Sequence, residues 1–137
     1  MKRWFALFFV FSALLFLMGM GGLGGSTVEK IPTPQKNIKG QVLDREGVKT
    51  SLSQFSMEGK VFLTGKRGDA DVAIPFENIS QTLFQNPAGN DALVKVFLRD
   101  GIEVEIKIDK RSKFYGKAEF GTFQIEAKDL KSISFQP

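Results

Sequence analysis

The chain has 137 residues, contains neither cysteine nor histidine, and carries a formal net charge of +4 at pH 7. Without these two residue types, disulfide bonds, thiolate chemistry, His-dependent nucleophilic catalysis and histidine-ligated metals are excluded. Part of the positive charge comes from the first residues, and the remaining chain is nearly balanced, which argues against a nucleic-acid partner.

The first 26 residues are typical of an export signal. Lys2 and Arg3 precede an apolar run over residues 4–20, and a glycine-rich segment follows over residues 21–26. A cationic start, an apolar stretch and small residues at the exit are the three parts of a signal peptide. The length of the run is also at the lower edge of what spans a bilayer as a helix, so residues 1–26 are expected to be either a cleaved signal peptide or an uncleaved membrane anchor.

The order of these parts predicts where the rest of the chain resides. Because both cationic residues precede the apolar run, its N-terminal end is expected to stay in the cytoplasm, with the rest of the chain exported. A periplasmic location is the first expectation, with an inner-membrane anchored or a secreted protein as alternatives. A lipid anchor is excluded, since the chain has no cysteine to carry it.

Residues 27–39 are predicted to be a flexible linker, because Pro32, Pro34 and several polar residues give no periodic pattern. From residue 40 the pattern becomes that of β-strands. The clearest pair is residues 93–98 and residues 102–109, in which apolar and charged side chains alternate strictly in the second segment. Asp100 and Gly101 between them are typical of a tight hairpin turn.

The two halves of this region resemble each other. The segment from Gly65 to Ile74 aligns without gaps to the segment from Gly116 to Ile125, and the same register continues to Phe84 and Phe135. Upstream, residues 45–48 match residues 99–102 after a shift of three residues in the alignment. We therefore expect a single all-β domain over residues 40–137, made of two five-stranded repeats, residues 40–84 and 93–135. The repeats would form a pseudo-twofold antiparallel β-sandwich or barrel, with Ile74 and Ile125 buried in its core.

Several residues could in principle carry chemistry, but each has a simpler explanation. Glu103 and Glu105 have the spacing of an inverting glycosidase pair, yet they form the polar side of an alternating strand. Asp69 and Asp71 could bind calcium but lack the further oxygen ligands that it requires. Arg67-Gly68-Asp69 spells an adhesion tripeptide from three common turn residues.

Two sets of basic residues remain. Lys110, Arg111 and Lys113 cluster in a predicted loop and are the candidate contact with an anionic surface. Lys66 and Lys117 follow the matched glycines Gly65 and Gly116, for which a structural role is preferred.

The sequence therefore predicts no enzyme, with no catalytic, cofactor-binding or metal-binding residues. The expected function is that of a non-enzymatic exported envelope domain with a protein-binding or scaffolding role in the periplasm. The alternative is a small glycan- or lipid-binding β module. The expected partner is an unidentified envelope protein, with membrane association through the N-terminal segment if that segment is not cleaved.

Overall fold

A computed structural model describes residues 32–137. The predicted signal or anchor, residues 1–26, lies outside the described residues, as does the first part of the predicted linker, residues 27–39. The described part contains ten β-strands, and every strand pair is antiparallel, which confirms the all-β prediction. The strands are β1 (Gly40–Asp44), β2 (Lys49–Met57), β3 (Phe62–Arg67), β4 (Ala70–Pro75), β5 (Ile79–Phe84), β6 (Asp91–Leu98), β7 (Glu103–Asp109), β8 (Lys113–Ala118), β9 (Gly121–Glu126) and β10 (Leu130–Phe135). Single 3₁₀ turns, Phe76–Asn78 and Ala127–Asp129, precede β5 and β10.

The strands form one sheet that curls into a half-barrel, in the order β4-β3-β7-β6-β5-β10-β1-β2-β8-β9. This corrects the expected sandwich or closed barrel. In the described residues, β4 and β9 each pair on one side only, so the sheet has two edges and does not close. The expectation failed because alternation along a strand indicates which face of the strand is buried. Closure of a barrel depends instead on hydrogen bonding between the two terminal strands of the sheet.

The two halves of the chain are interleaved within this sheet. β2 pairs with β8, and β3 pairs with β7, so each half contributes a strand to the neighbourhood of the other. The strand order is symmetric under exchange of the two halves. If each of the strands β1–β5 is exchanged with its counterpart among β6–β10, the sheet order reads the same from the opposite end.

The residue pairing follows the same symmetry. Leu63 pairs with Ile74, and their aligned residues Phe114 and Ile125 also pair. At the centre of the sheet, Thr82 pairs with Ile133, the residue to which it is itself aligned. A pseudo-twofold axis of the pairing pattern therefore passes between β5 and β10.

The matched glycines Gly65 and Gly116 lie where the halves approach each other most closely. A Cβ atom on Gly65 would be 2.6 Å from the backbone carbonyl oxygen of Lys107. A Cβ atom on Gly116 would be 3.0 Å from the Cβ of Leu52. Close approach of a strand from the other half thus requires glycine at position 65, where the contact is with backbone, and favours it at position 116, where the contact is with a side chain.

A pair of arginines, Arg45 and Arg99, joins the β-hairpin turns to the rest of the domain. Each donates from Nε to a carbonyl oxygen in a 3₁₀ turn and from Nη2 to the carbonyl that follows β5 or β10. The bonds are Arg45 Nε to Lys128 O at 2.7 Å, Arg45 Nη2 to Gln85 O at 2.9 Å, Arg99 Nε to Glu77 O at 2.8 Å and Arg99 Nη2 to Gln136 O at 2.7 Å. These four bonds connect aligned positions in the two halves, so the arginine contacts obey the pseudo-twofold symmetry as well.

Phenylalanine rings fill the interior of the half-barrel. Neighbouring ring centroids are 5.0–5.9 Å apart, which is the range of favourable aromatic contacts. The rings are those of Phe55, Phe76, Phe84, Phe114 and Phe135. Ile38 also belongs to this core, and its carbonyl accepts a hydrogen bond from the Phe55 amide, so the packed domain begins before residue 40.

Ile74 and Ile125 are only partly buried, although both pack against the core. The expectation of full burial was wrong because these residues lie on the edge strands β4 and β9. An edge strand has a neighbour on one side only, and its other side remains open to water.

We expect Gly65→Ala to lower the free energy of unfolding by about 1–3 kcal/mol, because the new methyl group would press on a backbone carbonyl that cannot move independently. Gly116→Ala should cost less, since the Leu52 side chain can shift by a few tenths of an ångström. Urea denaturation of both variants measures this, with the exposed substitution Thr122→Ala as a control expected within about 0.5 kcal/mol of the natural chain. A Gly65→Ala variant as stable as the natural chain would show that close strand approach does not explain this glycine.

Candidate functional site

The sheet exposes the backbone of two edge strands, β4 and β9, which occupy aligned positions in the two halves. An edge strand presents unpaired N–H and C=O groups that can accept another strand. Natural proteins block such edges with charged residues and proline, so the side chains of each edge indicate whether it is protected.

The β4 edge is protected in this way. Asp71 lies on the strand and pairs with Lys66 Nζ at 2.7 Å, Asp69 lies in the adjoining turn, and Pro75 ends the strand. A strand approaching β4 would meet two carboxylates and a residue that cannot donate a backbone hydrogen bond.

The β9 edge lacks this protection. Phe120 stands where the β4 side has Asp69, and Thr122 stands where it has Asp71. Phe120 is 78% exposed, more than any other exposed large apolar side chain in the described residues. The only charged residue on the strand is Glu126 at its end, which contacts Lys128 Nζ at 3.4 Å. β9 is therefore the less protected edge: it has no proline and has Thr122 in place of Asp71, and its carboxylates lie at its two ends, on Glu126 and on Glu119 in the adjoining turn.

The strand beside β9 presents basic and hydroxyl groups next to this edge. In the β8–β9 register, Lys117 lies opposite Thr122, and Tyr115 lies opposite Gln124. Lys117 is exposed and has no carboxylate within 4.0 Å among the described residues. Burial raises the pKa of the Tyr115 phenol, with a further contribution from the Glu58 carboxylate, so the phenol stays neutral at neutral pH.

The predicted anionic-surface residues Lys110, Arg111 and Lys113 all lie at the turn from β7 to β8. Arg111 is exposed, and its backbone amide donates to Asp109 Oδ1 at 2.8 Å. Lys113 is partly buried, and its amide donates to Glu58 Oε1 at 2.8 Å. The turn thus holds carboxylates next to its cations, and contact with an anionic surface stays a prediction.

The other residues considered from the sequence lie apart from one another. Glu103 and Glu105 project from the exposed face of β7, with Lys95 Nζ 4.0 Å from Glu103 Oε1. Asp69 lies in the turn between β3 and β4. Within residues 32–137, no group of three acidic side chains is placed to hold a metal ion. In the same range there is no helix with the length and apolarity to cross a membrane.

Sequence reasoning did not single out Phe120, which aligns with Asp69 of the first half. The signal was available in the alignment of the two repeats. A charged pair at one edge is replaced by an aromatic residue and a threonine at the other. The missing information was that both segments are edges, which only the strand order supplies.

Fold and site together define a small antiparallel β domain with one protected and one unprotected sheet edge. A sequence model of the protein family described as "Uncharacterised protein" matches residues 34–137, and the chain belongs to that family. The chain is also 28% identical over 122 residues to an "Uncharacterized protein" of Aquifex aeolicus (strain VF5), with 89% of each chain covered. Because this alignment is longer than the described domain, it includes residues of the segment before Pro32.

If Phe120 makes no stabilising contact, Phe120→Ser should change the free energy of unfolding by no more than about 0.5 kcal/mol. Phe114→Ala, on the neighbouring strand and fully buried, should cost about 3–5 kcal/mol. Chemical denaturation of the two variants measures both values. A large loss of stability in Phe120→Ser would mean that the ring is part of the fold and is not free for a partner.

Proposed function

We propose that this protein is a non-enzymatic, exported domain that binds an extended segment of another envelope protein along β9. The observation that carries the proposal is the difference between the two sheet edges. β4 and the turn before it have Asp69, Asp71 and Pro75 where β9 and the turn before it have Phe120, Thr122 and Glu126.

Strand addition explains why such an edge would remain open. The partner's backbone would hydrogen-bond to β9, and its side chains would alternate between the two faces of the sheet. Phe120 would cover an apolar side chain of the partner at one end of the strand. The exposed Lys117 favours a partner segment with acidic side chains.

The periplasm is the proposed location, supported by the order of charged, apolar and small residues in the first 26 positions. An inner-membrane anchored or secreted protein would fit the same pattern if the segment is retained or if a further export step follows. The alternative function is that of a glycan- or lipid-binding module with its ligand inside the half-barrel. It is less favoured, because phenylalanine rings occupy that interior.

We also propose that the domain arose by duplication of a five-stranded module. Support comes from the aligned residues Gly65 and Gly116, which make equivalent close approaches, and from Arg45 and Arg99, which make equivalent hydrogen bonds. Independent convergence on all of these contacts would require the same register at every strand pair. The open β9 edge is then a specialisation of one copy.

The function is tested by giving β9 the charges of β4. The double substitution Phe120→Asp and Thr122→Asp, in the full chain, should reduce capture of the partner from envelope extract by at least about tenfold, because two carboxylates would flank the pairing edge. Both residues are exposed, so the variant should keep its fold, as circular dichroism can confirm.

The matched control is Asp69→Asn with Asp71→Asn on β4, which should leave capture unchanged. Quantitative mass spectrometry of the captured proteins compares the three chains. The proposal is wrong if the β9 variant captures the same proteins in the same amounts. It is equally wrong if the β4 control loses them.

A further inference from the structure

A second opening in the sheet lies between β3 and β7. These strands share a single residue pair, Lys66 with Lys107. The aligned strands β8 and β2 are paired at three positions. They remain in contact because β2 continues past a bulge at Gln54, whereas β7 ends at Asp109 and the chain turns away. The space that β2 fills beside β8 is therefore not filled by β7 beside β3, and the Met57 side chain of β2 lies against β3 there.

The slot forms a cleft of about 530 Å³. On the β3 side of the cleft, the backbone amide of Thr64 donates to Met57 Sδ at 3.4 Å. A thioether is a weak acceptor, so this amide lacks the strong partner that a neighbouring strand would give it. The cleft thus offers a backbone donor of the kind that an extended peptide would satisfy.

Two pairs of like charge face each other across neighbouring strands of the cleft. The charged residues that line it are Lys60, Lys66, Asp71, Asp91, Lys107 and Asp109. Lys66 lies opposite Lys107, and Asp91 lies opposite Asp109 on the other side of β7. Like charges placed opposite each other on neighbouring strands destabilise a sheet. Lys66 is compensated by Asp71 at 2.7 Å. Among the described residues, Lys107, Asp91 and Asp109 have no opposite charge within 4.0 Å.

The distance between the two pairs sets the size of a ligand. Lys107 and Asp109 are two residues apart on the same face of β7, which places them about 7 Å apart along the strand. Two residues of an extended peptide also span about 7 Å. The Cα atoms of Lys107 and Asp109 are therefore about as far apart along the strand as two residues of an extended peptide.

We propose that this cleft binds the two charged ends of a dipeptide-sized zwitterion. Its ammonium group lies between Asp91 and Asp109, where it neutralises two carboxylates that face each other. Its carboxylate lies at Lys107, and its backbone carbonyl accepts from the Thr64 amide. A metal ion is a poorer occupant, because no third acidic ligand is placed to complete its coordination in the described part of the chain.

This site is independent of the proposed strand-binding edge. The cleft is bounded by β3, β4, β6 and β7, by Met57 of β2 and by the turns that hold Lys60 and Ser112. β9 contributes no lining residue and lies at the far end of the sheet order. The Phe120→Asp and Thr122→Asp double variant should therefore lose its protein partner and keep the dipeptide.

The test is an NMR titration of the ¹⁵N-labelled full chain with three probes: alanyl-alanine, its N-acetyl derivative and its C-terminal amide. Saturable shifts should appear at residues around Thr64, Lys107 and Asp109 with alanyl-alanine. Each blocked probe should bind at least about tenfold more weakly, because it lacks one of the two charges.

Variants then assign each end of the ligand. Asp109→Asn should weaken alanyl-alanine about tenfold, and its amide oxygen can still accept the hydrogen bond from Arg111 that orders the turn. It should have little effect on the N-acetyl derivative, which has no ammonium group. Lys107→Gln should also weaken the binding of alanyl-alanine, but it should have little effect on the C-terminal amide, which has no carboxylate. Glu103→Gln, on the same exposed face of β7 but outside the cleft, is the matched control and should bind as the natural chain does.

The proposal is overturned if alanyl-alanine gives no saturable shifts at about 10 mM, well above a millimolar Kd. It is also overturned if the three probes bind equally, or if the shifts map to β9 in place of the cleft. Binding that follows the predicted order in both probes and variants supports it.

Discussion

The pairing of strands between the two halves of the chain is the constraint on which the rest of the structure depends. β2 can lie against β8, and β3 against β7, only if the backbones pass close together, and Gly65 and Gly116 provide the space. The same interleaving brings Phe55 of the first half against Phe114 of the second, so the core is shared and cannot be divided between two modules. With this interleaving, β4 and β9 lie at the two ends of the sheet order.

Symmetry of the framework makes its departures informative. Where the two halves agree, as at the arginines and glycines, the residues serve the fold. Where the two halves differ, the strand pairing that they share does not explain the difference. β9 lacks the charges of β4, and β7 is shorter than β2 and leaves a charged cleft. Both proposed binding sites arise at such departures, at opposite ends of the sheet.

Strand identity could be predicted from the sequence, because alternation and hairpin residues are local patterns. The segments around Gly65 and Gly116 both proved to be strands. The curled open sheet could not be predicted, since it depends on which distant strands pair. The half-burial of Ile74 and the exposure of Phe120 follow from that strand order, and the cleft follows from the length of β7.

The interleaving of the halves can be tested by producing residues 32–89 and residues 90–137 as separate chains. Four strands in each fragment would lose a pairing partner, and β5 and β10 would lose both of theirs. Neither fragment should therefore give a cooperative thermal transition as a monomer, measured by circular dichroism and analytical ultracentrifugation. An equimolar mixture should form a heterodimer with the amide NMR spectrum of the intact domain. If either fragment folds alone as a monomer with its full strand content, the halves are independent modules and the account is wrong.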